Sequence, residues 1–355
     1  MKATRKICVL GSFLLLAGSL AACGGSSQAE GTESTPANPP VSSTASATSE
    51  ATDGPLRVEP VNKPLKNKKI ALIAFANNPY WEPVQDGAKA ANDKLSALGA
   101  KVDYIVAGAN LDVPTVVTAI EGAVTQGYDA IGVVSLAEGA CPAIQSAVKQ
   151  NVVVATFIIE GACAEKSGSL FFYGMDNQAA GAAAADAMVK AIGDQGEVAI
   201  ITGSYGVESQ EKRRNGFETQ MKQKYPNIKV VGSVENKDDA GVALSQANDF
   251  MTAHPDLKGI YVTAGGPFGA AQAVEQAGKN VKIVSYDLVP QTLEFVQKGV
   301  IAATLGGDAF GDSYNTAMLL FNNLADGAEP AEYFQKEPYG IVTPENVSEV
   351  LAKQK

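Results

Sequence analysis

One histidine in 355 residues is the scarcity that excludes most chemistry. With His254 alone and no Cys-x-x-Cys, no Cys/His metal site can be assembled. A catalytic triad of the histidine type would have to depend on that same residue. No Gly-x-Ser-x-Gly elbow, Walker loop or dinucleotide fingerprint is present, so the usual signatures of hydrolases, nucleotide enzymes and dehydrogenases are missing. No metal or cofactor is expected. Basic residues are also scarce, with Lys+Arg 28 against Asp+Glu 38 and a net charge of −10. Such a body is a poor nucleic-acid binder, because phosphate contacts need clustered cations. Past the first residues, no apolar run is long enough to span a bilayer. His254, in Thr252-Ala253-His254-Pro255-Asp256, reads as a loop residue at a helix C-terminus, where the dipole suits it.

What is present begins with an export pattern. Lys2, Arg5 and Lys6 form a basic start, Ile7–Leu20 a short apolar stretch, and small residues run to Cys23. The string Gly18-Ser19-Leu20-Ala21-Ala22-Cys23-Gly24 resembles the lipobox of bacterial lipoproteins. That resemblance implies cleavage after residue 22, acylation of Cys23 and anchorage to the outer face of the cell membrane. Residues 24 to about 64 are rich in Ser, Thr, Ala, Pro, Gly and Glu and hold almost no large apolar side chain before Leu56. They cannot bury enough surface to offset chain entropy, so 23–65 is expected to be a disordered tether. Roughly 290 residues remain, which suits two domains of ordinary size.

From Lys68 onward, short Val- and Ile-rich runs alternate with amphipathic stretches. Strands are predicted at Ile70–Phe75, Lys101–Val106, Ala130–Ser135, Val152–Phe157, Leu170–Tyr173, Glu197–Thr202, Lys229–Val234, Ile260–Thr263, Lys282–Tyr286 and Ala302–Leu305. Helices are predicted at Trp81–Leu98, Pro114–Thr125, Ala179–Ile192, Arg214–Lys224 and Gly241–Ala253, among others. This alternation predicts an α/β protein with parallel sheets and right-handed crossovers. About ten strands fit two doubly wound domains better than one sheet, with an eight-stranded barrel as the alternative. Ligands in open α/β sheets bind beyond the carboxyl ends of the strands. The loop after the first predicted strand, Asn77-Asn78-Pro79-Tyr80-Trp81, places an amide, a Tyr and the only Trp at such an end. Aromatic faces suit the C–H faces of a sugar ring, and Asn both donates to and accepts from hydroxyls.

That loop with Asp86-Gly87-Ala88, Gly174-Met175-Asp176-Asn177, Arg213-Arg214-Asn215-Gly216-Phe217, Thr252–Asp256 and Val284-Ser285-Tyr286-Asp287 resembles the ribose-binding-protein family of periplasmic sugar receptors. The resemblance spans Lys68 to about Tyr339. It implies two Rossmann-like lobes joined by three crossovers, with residues 66–174 plus 308–334 in one and 175–307 plus 335–355 in the other. It also implies a ligand clamped between the lobes and delivered to an ABC-type importer. Carried over residue by residue, Asn78, Tyr80, Trp81, Arg213 and Asp287 become ligand contacts, with Glu160 and Asp308 as further candidates. Other positions depart from the family. Its Asp-Arg pair becomes Ile158-Ile159, its Asn-Asp becomes Ala264-Gly265, its glutamine becomes Gly307, and an aromatic near Asp238 is absent. A sugar or cyclitol bulkier or less hydroxylated than ribose would suit that surface, with a nucleoside or furanose signal as alternatives. Glu138-Gly139-Ala140-Cys141 and Glu160-Gly161-Ala162-Cys163 repeat four residues past two strands expected to be neighbours. In an exported chain this predicts a Cys141–Cys163 disulfide at the cleft mouth. The chain is expected to act as a monomeric receptor. An enzyme, a sugar-responsive DNA-binding regulator and a ligand-presenting sensor for a chemoreceptor or kinase are the competing classes.

Overall fold

The computed structural model describes residues 56–353, so the predicted signal and Cys23 lie outside the described residues. The chain runs through β1 (Lys68–Ala74), α1 (Trp81–Ser96), β2 (Ala100–Val106), α2 (Val113–Thr125), β3 (Ala130–Val133), α3 (Cys141–Lys149), β4 (Val153–Phe157) and β5 (Phe172–Gly174). It continues as α4 (Asn177–Ile192), β6 (Gly196–Thr202), α5 (Glu208–Lys224), β7 (Ile228–Glu235), α6 (Ala240–Ala253), β8 (Leu257–Val262), α7 (Pro267–Ala277), β9 (Lys282–Tyr286), α8 (Pro290–Gln297) and β10 (Ile301–Gly306). The last elements are α9 (Ala309–Asp326), β11 (Phe334–Lys336), β12 (Gly340–Val342) and α10 (Val347–Lys353).

Two six-stranded sheets result, ordered β11-β5-β4-β3-β1-β2 and β12-β10-β9-β8-β6-β7. All pairings are parallel except that of β12 with β10. Helices cover both faces of each sheet, which is why β1 reads as a continuous apolar run: Ile70 to Phe75 are all fully buried. The expected two-lobed α/β fold is what forms. The chain passes between lobes three times, after β5, after β10 and after β11. Because β11 pairs with β5 through Lys336, the third passage falls at Glu337 to Tyr339.

Helix α5 begins at Glu208, six residues before the predicted start at Arg214, so Arg213 is a helical residue and not a loop one. His254 caps the C-terminus of α6 as expected, with Nδ1 3.1 Å from Glu197 Oε2. The tether expected through residue 65 is corrected at its C-terminal end. Val58, Val61 and Leu65 pack on the first lobe's core. The Val58 and Val61 N–H groups donate to Asn315 Oδ1 at 2.8 Å and Asn322 Oδ1 at 2.7 Å on α9. These spaced apolar residues bury enough surface to fix an extended segment that composition alone reads as linker.

Candidate ligand-binding cleft

The turn after β1 is locked locally. Asn78 Oδ1 accepts from the Tyr80 N–H at 3.0 Å, and the Trp81 N–H donates to Asn78 O at 3.2 Å. Trp81 opens α1 only 3% exposed, its ring tilted against Phe75 at 5.5 Å and edge-on to Tyr80 at 5.2 Å. It is a core residue and a cleft wall at once, and its buried Nε1 has no acceptor.

Arg213 reaches the cleft from α5. Its Nε donates to Asn177 Oδ1 at 2.7 Å, Nη1 donates to Thr263 O at 3.1 Å, and the guanidinium lies 4.0 Å over the Tyr286 ring. This three-sided hold fixes the planar fork before any ligand arrives. Asp287 directly follows β9 in the left-handed region at φ 74°, with its N–H donating to Leu305 O at 2.9 Å. The kink turns its carboxylate toward the cleft. Burial pushes that carboxyl up to about 6, with the guanidinium of Arg213 opposing the rise and Asp238 adding to it. Asp238 accepts from the Gly265 N–H at 2.9 Å and from Gln210 Nε2 at 3.3 Å. The polar group lost at Ala264-Gly265 is thus replaced by a backbone N–H already used within the lobe.

These side chains enclose two adjoining cavities. One of about 50 Å3 lies among Asn78, Trp81, Asp238 and Gly265. The other, about 700 Å3, extends past Tyr80 and Asp287 to Asp308, Asp312 and Glu337. Tyr80, Ile158, Arg213 and Asp287 line both, two from each lobe. The larger volume falls within the roughly 300–1,000 Å3 range of small-molecule sites. Between the lobes, the Glu208 N–H donates to Leu136 O at 3.0 Å, and Val207 is 1% exposed within the first lobe's core cluster. The lobes are therefore closed on each other.

Residues 70–329 match the family model described as a periplasmic binding protein domain. The chain belongs to this family. The chain is 30% identical over 243 residues to the D-allose-binding periplasmic protein of Escherichia coli, covering 66% of this chain and 77% of that one. Among solved structures it is similar to an ABC transporter solute-binding protein of Burkholderia graminis in complex with D-arabinose. That match has a TM-score of 0.73 and 27% identity, covering 80% of this chain and 97% of that one. A solute-binding protein of Agrobacterium vitis with bound D-fucose gives a TM-score of 0.73 at 26% identity, covering 81% and 98%.

In this periplasmic binding protein the structure gathers Asn78, Tyr80, Trp81, Arg213 and Asp287 around the paired cavities, and Asp308 at the far end of the larger one. Asp308 is ion-paired with Arg57. Glu160 stands apart. It lines a separate polar groove of about 210 Å3, with Lys212 Nζ 3.6 Å away across the lobe boundary. Glu138 is exposed, and Cys141 and Cys163 are bridged with Cα atoms 6.1 Å apart, tying together the loops after the paired strands β3 and β4.

Sequence reasoning missed Asp312 and Glu337. Asp312 is 2% exposed and accepts from the Tyr80 hydroxyl through Oδ2 at 3.3 Å. Glu337 is 6% exposed, and its Oε1 accepts from the Asp308 N–H. A Cβ at residue 307 would overlap the Glu337 carboxylate. Gly307 thus replaces the family glutamine by making room for an acid from the third crossover. Asp312, one turn after Asp308 on the buried face of α9, carried a legible signal in its apolar surroundings. Glu337, in a short segment between β11 and Pro338, carried none.

Proposed function

We propose that this protein is a lipid-anchored, extracytoplasmic receptor that closes on a sugar or cyclitol and delivers it to an ABC-type importer. The observation carrying this reading is the cavity walled from both lobes by Tyr80, Ile158, Arg213 and Asp287, at the carboxyl ends of the strands. Asn78, Tyr80 and Trp81 would contact ligand from the first lobe, and Arg213 and Asp287 from the second. Arg213 presents a fixed donor fork, Asp287 presents acceptors, and Tyr80 presents a ring face beside them. The sugars named for the relatives above, allose, arabinose and fucose, support this class of ligand. A ligand touching both lobes favours the closed form by its differential affinity, and closure gives the importer a distinct surface to recognise.

A thermal-shift screen of the protein against monosaccharides, alditols, cyclitols and nucleosides, with each hit confirmed by calorimetry, tests the reading. A saturable hit among the polyhydroxylated compounds supports it; a nucleoside as sole ligand overturns the ligand class. Anchorage rests on Cys23 at the small-residue site. Cys23→Ser is expected to move the protein from the membrane fraction to the soluble one. Retention of labelled lipid by that variant would refute the anchor.

A further inference from the structure

We propose that the ligand of this cleft carries an ammonium group, seated between Asp312 and Glu337 at the hinge end of the cavity. The inference rests on reading the cleft as the ligand site, and it narrows the ligand to an amino sugar or amino polyol.

The wall of the larger cavity holds six carboxylates and only two guanidinium groups. Both cations are already committed. Arg57 pairs with Asp308 and stacks 4.8 Å from the Phe310 ring centroid. Arg213 is held by Asn177, Thr263 and Tyr286. The Arg213 charge reaches Glu337, but among the described residues neither guanidinium pairs directly with Asp312 or Glu337, which are nearly inaccessible to water. Asp312 lines the cavity with one oxygen taken by Tyr80, while its Oδ1 is buried and faces no donor. The other groups felt by the pair are Tyr173, whose hydroxyl accepts from Asn315 Nδ2 at 2.8 Å, and the further acid Asp308. From the second lobe Asp287 adds another carboxylate to the same wall. None of these supplies a positive charge.

Two contacting carboxyls in a dry site cannot both stay ionised, so the empty site must hold a proton or a cation. Burial and the charge of Asp308 push Glu337 up to about 7, against a hydrogen bond with Asp312 and the Arg213 charge, while burial and the charges of Glu337 and Asp308 push Asp312 well above the usual carboxylate range. A ligand hydroxyl brings one donor and no charge. An ammonium brings three donors and a full charge, enough to serve Asp312 Oδ1 and a Glu337 oxygen together. Ile158 and Met175 on the same wall offer apolar contact to the carbon skeleton. The bound ammonium stays charged, and the proton it displaces from the carboxyl pair passes to solvent.

The test is calorimetry on the full chain with matched pairs: D-glucosamine and D-glucose, D-galactosamine and D-galactose, and 1-amino-1-deoxyalditols with their parent alditols. Titrations run near neutral pH in phosphate and in HEPES, which carries no primary ammonium and whose ionisation heat differs. At least one amine is expected to bind about tenfold or more tighter than its hydroxyl partner, as a charged hydrogen bond does over a neutral one, with net proton release. Glu337→Gln and Asp312→Asn are expected to reduce that preference to about threefold or less. Circular dichroism establishes that each variant is folded. If Asp312→Asn does not fold, the buffer comparison on the unaltered protein and Glu337→Gln still decide. A neutral sugar that binds as tightly as its amine overturns the inference and leaves the sugar-receptor reading standing. Failure of every amine also overturns it, and the wider ligand screen then judges the receptor reading separately.

Discussion

Asp287 and Arg213 face the same cavity from separate elements of one lobe, and each is held by different neighbours. That independence makes their loss predictable. Asp287→Ala is expected to weaken ligand binding by roughly 2–5 kcal/mol, because closure would bury Arg213 and the ligand hydroxyls without their acceptor. Arg213→Ala removes the opposing donors and is expected to cost a similar amount. Calorimetric affinities of folded variants check both, and near-native binding by both would displace the site. Raised carboxyls such as Asp287 and Glu337 make stability depend on pH. Asp287, at about 6, and Glu337, at about 7, keep a proton in the folded chain where the unfolded chain has released it. Their contribution is full below the unfolded values and is lost as pH rises through the folded ones. Each shift is worth on the order of 2–3 kcal/mol. Lowering the pH from about 8 to about 5 is therefore expected to raise the melting temperature of the ligand-free protein, and Glu337→Gln to flatten that rise. Of these residues, Asp287 and Arg213 were legible in the sequence because each sits at a fixed offset from a recognisable strand or Gly-Phe pair. Asp312 offered only the indirect signal of its apolar surroundings and Glu337 none, because a buried acid is defined by what surrounds it.

At the scale of elements, the pairing of α4 with α5 sets the geometry of the cleft. A Cβ on Gly181 of α4 would collide with the backbone carbonyl of Arg213 on α5. Glycine is needed there for close helix approach, since its conformation is ordinary and only space is at issue. Asn177, at the start of α4, then lies within reach of the Arg213 guanidinium. Gly181→Ala is expected to push α5 outward and loosen this bond. The consequence would be a loss of ligand affinity of about tenfold, together with about 1–3 kcal/mol of stability from overpacking, measured by calorimetry and denaturant unfolding. Unchanged affinity would mean that Thr263 and Tyr286 suffice to position Arg213. The helix and strand types were readable from apolar periodicity, but the early start of α5 was not. Glu208 to Arg213 are polar, and they become helical because Val207 buries and the lobes meet there.

For the whole molecule, the proposed function makes closure the variable that matters, and Val207 is its most telling contact. It belongs by sequence to the second lobe yet is buried in the first lobe's core cluster, beside the Glu208-to-Leu136 hydrogen bond. Val207→Asp leaves each lobe's own core intact and places a charge in the closed interface. It is expected to open the ligand-free protein, seen as a larger radius of gyration in solution scattering. Affinity should weaken as well, because the ligand must then supply the free energy of closing. A scattering curve unchanged from that of the unaltered protein would show that Val207 does not hold the lobes together.

The sequence by itself determined the two parallel sheets, the strand-end placement of Asn78, Tyr80, Trp81 and Asp287, and the proximity of Cys141 to Cys163. These depend on local periodicity, on turns and on the order of elements, all of which are short-range or topological. Only the tertiary structure decided that residues 56–61 lie along α9, that Glu160 faces Lys212 in place of the cavity, and that Glu337 fills the room left by Gly307. Each of those is a contact between segments far apart in the chain. Its free energy comes from burial and charge pairing that no single segment contains, and so it exists only once the lobes have folded and met.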